Sequence, residues 1–198
     1  MKHQRVPRET NKEDEHQNKL KMNEKYVLEH LRNIPDFPKQ GIQYKDINYL
    51  FTDAGVLHEL GDELKRRYKD KGITKVVGLE TRGIVMGAIT AEKLDAGLVM
   101  CRKKGKMPGI TRGTSYAKEY GEDKIEIQAG AITNDDVVLI HDDLLATGGS
   151  MAAAYKLVES FHPKKIYINF LFELRSEGLK GREALPKNVD ADVLITLH

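Results

Sequence analysis

Two adjacent acids, Asp142 and Asp143, close the stretch VVLIHDD, and the turn Thr147-Gly148-Gly149-Ser150 follows after Leu144, Leu145 and Ala146. Glycines let successive backbone N–H groups converge on one point, and a helix that starts there adds partial positive charge. Ala146 to Ser150 therefore reads as a turn into a helix, with the Thr147 and Ser150 hydroxyls able to donate to the same anion. That is a site for a phosphate monoester. The carboxylates upstream would accept hydrogen bonds from vicinal hydroxyls, or face a divalent metal. Phosphate at one end and a diol at the other describes a ribose 5-phosphate. A glycine turn alone does no more than cap a helix; the acid pair at fixed distance makes the pattern specific. No Gly-Lys-Ser/Thr occurs here, so this is not a P-loop.

The elements that must hold these residues alternate along the chain. Asp53 to Tyr68 carries Val56, Leu57, Leu60 and Leu64 at helical spacing, with charges on the other side. KVVGLE (Lys75 to Glu80) is a short β-branched run that ends at an acid and Thr81-Arg82-Gly83. Ile84 to Leu94 reads as a helix, Leu98 to Arg102 as a strand, VVLI as a strand, Ser150 to Phe161 as a helix. Lys165 to Leu174 reads as a long strand. Strands separated by helices of this length predict an α/β fold: a mostly parallel twisted sheet flanked by helices. Ligands of such sheets collect at the carboxyl ends of the strands, where Asp142-Asp143 lies. Between Arg102 and Lys124 the alternation breaks into a glycine-rich, polar interval, which reads as a long loop, either a functional lid or a disordered link.

The first 21 residues differ from the rest. They mix charges of both signs with almost no large apolar side chains, so residues 1–21 are expected to form a disordered extension. Met22, an alternative start, opens a stretch in which Tyr26, Val27, Leu28, Leu31 and Ile34 suggest a helix stopped by Pro35. Residues 22–198 are then one domain. At 198 residues the chain is long enough to bury a proper core. Its net charge of +2 gives no basic face for nucleic acid. The single cysteine, Cys101, excludes an internal disulfide and reads as a small buried hydrophobe in LVMC. No run approaches the ~20 apolar residues of a membrane span, and no signal peptide is visible. A cytoplasmic protein is expected, with no membrane partner.

VVLIHDDLLATGGS resembles the phosphoribosyl pyrophosphate signature of the type I phosphoribosyltransferases. FPKQGIQYKDI (Phe37 to Ile47), GLETRGIVMG (Gly78 to Gly87), RKKGKMPG (Arg102 to Gly109), SYAKEYG (Ser115 to Gly121) and LKGREAL (Leu179 to Leu185) are similar, in the same order, to stretches of the adenine phosphoribosyltransferase branch. The likeness runs from about Ile34 to the C-terminus. It implies a purine-salvage reaction that joins adenine to phosphoribosyl pyrophosphate, giving AMP and pyrophosphate.

The same resemblance assigns roles. Asp142, Asp143, Ala146, Thr147, Gly148, Gly149 and Ser150 would hold ribose 5-phosphate. Thr81, Arg82 and Gly83 would hold pyrophosphate, Arg82 through its bidentate fork, with Lys103 and Lys106 closing over it. Glu119 would handle the purine proton near N7 as the catalytic residue, shielded by Tyr120 and less directly by Tyr116. A small N-terminal hood of about residues 34–50 would cover the base, with Gln43, Lys45 and Leu144 as adenine contacts. Lys45 stands where the family commonly has arginine, and Gln43 where it more often has an aliphatic residue, which bears on base choice. His141 replaces an aliphatic residue and is read as structural. Mg²⁺ is implied, held mainly by the substrate with Asp142 or Asp143; no His/Cys pattern of zinc spacing occurs. A homodimer is also implied. Two alternatives stand: transfer to another purine or orotate, and a regulator that senses phosphoribosyl pyrophosphate without turnover. The N-terminal residues are too short and too mixed in charge to make such a regulator's DNA-binding module.

Overall fold

The computed structural model describes residues 21–118, 121–175, 179–189 and 191–198. The expected disordered extension lies outside these residues, apart from Lys21. The domain opens with α1 (Glu24–Glu29) and a two-stranded antiparallel sheet, β1 (Arg32–Pro35) and β2 (Gln43–Asp46), in register Ile34 to Tyr44. Ile34 thus belongs to a strand, not to the helix expected before Pro35. Helix α1 is short, and past His30 the chain pairs with β2 instead of continuing the helical turn. A four-residue helix α2 (Ile47–Leu50) follows, capped by Asp46.

Helix α3 (Ala54–Tyr68) starts where Asp53 accepts the Val56 N–H at 2.9 Å, and its last turn carries Lys65, Arg66 and Arg67 against the negative end of the helix dipole. Its apolar stripe, Val56, Leu60 and Leu64, is fully buried. Then come β3 (Lys75–Leu79), α4 (Arg82–Lys93), β4 (Gly97–Lys103), β5 (Thr111–Lys118), β6 (Gly121–Gln128), β7 (Val137–Leu145), α5 (Gly149–Glu159), β8 (Lys165–Leu174), a 3₁₀ turn (Gly181–Ala184) and β9 (Ala191–Leu197).

These strands form one seven-stranded sheet in the order β5-β6-β4-β3-β7-β8-β9. The five strands from β4 to β9 in that order run parallel; β6 and β5 are antiparallel additions at the β4 edge. Residues of these strands feed two cores. Val77, Val99, Ile140, Ile168 and Phe170 meet α5 on one face. Val76, Leu139, Leu171 and Phe172 meet α3 and α4 on the other. Burying both faces explains why these strands read as continuous apolar runs.

The interval after Arg102 is not a loop: Thr111–Lys118 and Gly121–Gln128 form an antiparallel hairpin, with Thr114 opposite Ile125. Its alternation of Ile125 and Ile127 with charged residues is a one-sided strand pattern, and Ile125 and Ile127 are buried.

Candidate active site

Strand β7 continues past VVLI to Leu145, so the acid pair lies within the strand's last turn of pairing, with Asp142 opposite Phe170 of β8. The Asp143 N–H donates to Asp142 Oδ1 at 2.9 Å. Burial, reinforced by the charge of Asp143, pushes the Asp142 carboxyl well above the usual carboxylate range. Asp143 is itself buried and accepts from Arg82 Nε.

The chain then turns at Ala146 and Thr147 into α5. Gly148 takes the left-handed conformation, φ 76°, just before the helix. A Cβ on Gly148 would lie 2.3 Å from the Gly181 carbonyl oxygen, and one on Gly181 would lie 2.4 Å from that of Ala146. The 181–184 turn is therefore packed backbone to backbone on the 146–150 turn. Arg182 locks that turn with a two-pronged bond to Glu173, at 2.7 and 3.0 Å, at the end of β8. Gly181, Arg182 and Glu173 had no role in the sequence reading. The LKGREAL motif was visible, but only tertiary packing shows that it backs the turn.

Thr81 and Arg82 begin α4 at the end of β3, with a cis peptide bond between Glu80 and Thr81. Gly83 fits because a Cβ there would lie 2.8 Å from both Asp142 Oδ1 and the His141 carbonyl oxygen. Glu80 reaches across to β4: it accepts from the Lys103 N–H at 2.8 Å and from the Arg102 guanidinium at 3.4 Å. Buried Glu126 organises the turn beyond, accepting from Gly105 N–H at 2.9 Å and Met107 N–H at 3.3 Å. Tyr116, on the hairpin, accepts from the Ser150 hydroxyl at 3.2 Å, so β5 leans on the start of α5.

One cavity of about 430 Å³ gathers Thr81, Arg82, Lys103, Asp142, Asp143, Leu144, Ala146, Thr147, Gly148 and Ser150. Ten residues expected from three separate stretches meet there, joined by Glu80, Met151 and Phe170. Gly83 and Gly149 are not in its lining: Gly83 packs against Asp142, and Gly149 begins α5. Gln43, Lys45 and Lys106 are not in the cavity's lining either. Gln43 is held by Asn33 at 2.6 Å, and Lys45 lies opposite Asn33 in the small sheet. Glu119 and Tyr120 lie outside the described residues. A larger cavity of about 520 Å³ runs along the hairpin past Thr111, Gly113 and Thr114 to Lys104, and shares no lining residue with the first.

A model of the phosphoribosyl transferase domain matches residues 56–196. The adenine phosphoribosyltransferase of Phocaeicola vulgatus is 52% identical over 176 residues, 89% of this chain and 100% of that one. This chain belongs to the adenine phosphoribosyltransferase family. Among solved structures, the adenine phosphoribosyltransferase of Rhodothermus marinus is 42% identical with a TM-score of 0.80, over 87% of this chain and 97% of that one. That of Giardia lamblia, solved with 9-deazaadenine, is 40% identical with a TM-score of 0.79, over 87% and 96%.

In this phosphoribosyltransferase two cations of the cavity are tied to carboxylates: Arg82 to Asp143, and Lys103 Nζ to Asp123 at 3.7 Å. His141 is fully buried with Nδ1 2.9 Å from Asn169 Oδ1, the structural place expected of it, while its Nε2 has no partner among the described residues. Cys101 is 1% exposed and burial pushes its thiol up to about 12, so it is an inert core residue. No group of three His, Cys, Asp or Glu able to cage a metal occurs among the described residues. Two neighbouring carboxylates on a cavity wall instead suit an ion that takes most of its oxygens from a diphosphate and water.

Proposed function

We propose that this chain transfers the phosphoribosyl group of phosphoribosyl pyrophosphate to N9 of adenine, giving AMP and pyrophosphate. The observation that carries the reading is the convergence of the acid pair, the 146–150 turn and Arg82 on one cavity at the carboxyl end of the sheet. As the C1′–N9 bond forms and the C1′–O bond breaks, positive charge develops on the sugar and negative charge on the leaving diphosphate. Carboxylates beside the ribose and a guanidinium beside the diphosphate oppose both, held in place before reaction. The helix N-terminus at Gly149 and the Thr147 and Ser150 hydroxyls receive the 5-phosphate.

Bound Mg²⁺, with Asp142 or Asp143 among its ligands, would neutralise diphosphate charge. As N9 attacks, the proton the purine must shed leaves from its N7 edge to a carboxylate in the 115–121 segment, which the family motif assigns to Glu119. Gln43 and Lys45 sit in the small N-terminal sheet, which we read as the hood over the base. A homodimer is supported by three apolar side chains on adjoining α4 and β4, Val85, Leu98 and Met100, each 40% exposed. A cytoplasmic setting is supported by the single buried thiol, and no helix among the described residues is long and apolar enough to cross a membrane.

The test is a panel of adenine, hypoxanthine, guanine and orotate with phosphoribosyl pyrophosphate and Mg²⁺, reading pyrophosphate released. Adenine should be used at least about 10²-fold more efficiently than the others, because a site built to hydrogen-bond one base leaves its polar groups unpaired with another. Equal use of hypoxanthine would assign the hood a different base. Binding of phosphoribosyl pyrophosphate with no pyrophosphate released from any base would indicate a sensor.

A further inference from the structure

Glu80 is the one acid on the cavity wall that the reaction just described does not use. It stands at the end of β3, between the last strand residue and Thr81-Arg82, on the diphosphate side of the site. An acid there is unexpected, because a carboxylate facing a site for a multiply charged anion repels that anion. Glu80 is also not a solvated surface residue: its side chain is 16% exposed and is fixed by the Lys103 N–H at 2.8 Å and the Arg102 guanidinium. Burial opposes its ionisation, but the Lys103 amide and Arg102 outweigh it and hold the carboxyl below its usual range. Glu80 is thus charged at neutral pH, and it occupies the backbone N–H of Lys103, a residue of the cavity wall, and the guanidinium of its neighbour Arg102.

We propose that Glu80 is a built-in competitor of the diphosphate: it neutralises the Arg102 guanidinium and occupies the Lys103 backbone donor, for which pyrophosphate competes, and so weakens the hold on the departing product. The inference rests on the phosphoribosyl-transfer reading of this cavity. Its physical logic is that of spending binding on the transition state. A diphosphate bound at full strength by Arg82, Arg102 and Lys103 would lower the energy of the product complex without speeding the chemical step. A fixed internal anion removes part of that ground-state affinity.

The alternative is that Glu80 merely braces the turn from Arg102 to Lys106, and the two differ in sign. Glu80→Gln keeps the shape and an acceptor for the Lys103 N–H but removes the charge. Titration calorimetry with inorganic pyrophosphate in Mg²⁺ should show Glu80→Gln binding at least about fivefold more tightly than the wild type. Glu80→Ser, a second neutral variant that also gives up the acceptor for the Lys103 N–H, should shift in the same direction. If the wild type binds pyrophosphate and both variants bind it equally or more weakly, Glu80 is a brace and the inference is overturned. If the wild type shows no pyrophosphate binding at all, the transferase reading fails first and the inference goes with it.

Discussion

His141 and Asp143 stand two residues apart on β7 and so share one face of the strand, yet only one reaches the cavity. Asp143 meets Arg82. His141 lies one step deeper, bonded to Asn169, whose amide reaches Asp192 at 3.3 Å; Asp192 in turn accepts from Tyr68 and Arg67 of α3. Burial pushes the His141 imidazole down from 6.5 to about 4, against the pull of Asn169 and Asp143. The folded state therefore holds neutral His141 where the unfolded chain would take up a proton. Stability from this residue is full above about pH 6.5 and is lost as pH falls toward 4, by roughly 3 kcal/mol in all. Denaturant unfolding at pH 7 and pH 4.5 should show the wild type losing clearly more stability over that interval than His141→Gln. Equal losses would mean that the imidazole is protonated in the fold. Sequence could mark this residue as structural from its place in an apolar run; its partner Asn169, 28 positions away, was not legible without the register of β7 on β8.

Among the elements, the 146–150 turn proposed to hold the phosphate is only as well formed as what lies behind it. The turn itself was legible, because Gly148 and Gly149 after an acid pair admit few other readings. The brace was not: Gly181 is separated from Gly148 by a helix and a strand, and nothing in LKGREAL states which backbone it touches. Gly181→Ala would drive a Cβ to 2.4 Å from the Ala146 carbonyl oxygen, with Leu145 side-chain atoms at 2.9 and 3.0 Å. A backbone atom cannot swing aside as a side chain can, so the turn must shift, at a cost of about 1–3 kcal/mol. The expected outcome is a lower melting temperature together with a raised KM for phosphoribosyl pyrophosphate. A variant with wild-type KM and melting temperature would show that the two segments are not in contact. The hairpin was missed for a related reason. Its strands bury only one face, through Ile125 and Ile127, and the glycines and lysines around them outweigh that short alternation in a linear reading.

At the scale of the molecule, five parallel strands carry the site on their carboxyl ends, and the β5–β6 hairpin leans over it from one edge. This layout was legible from the alternation of buried runs and amphipathic helices, since a parallel sheet covered on both faces imposes that pattern. The order of the strands was not, because adjacency of β3 to β7 depends on crossovers that no local motif encodes. That adjacency is what matters: it sets Gly78 beside His141, and so brings Thr81-Arg82 against Asp142-Asp143. These two strand ends together form the proposed phosphoribosyl site. The most direct measurement is AMP formation from adenine, phosphoribosyl pyrophosphate and Mg²⁺ by the wild type and by Asp142→Asn and Asp143→Asn, with melting curves to confirm folding. Wild-type turnover with a loss of about 10²-fold or more in kcat/KM in each folded variant is the predicted result. Wild-type rates in both variants would contradict it, and would move the ribose site away from the end of β7.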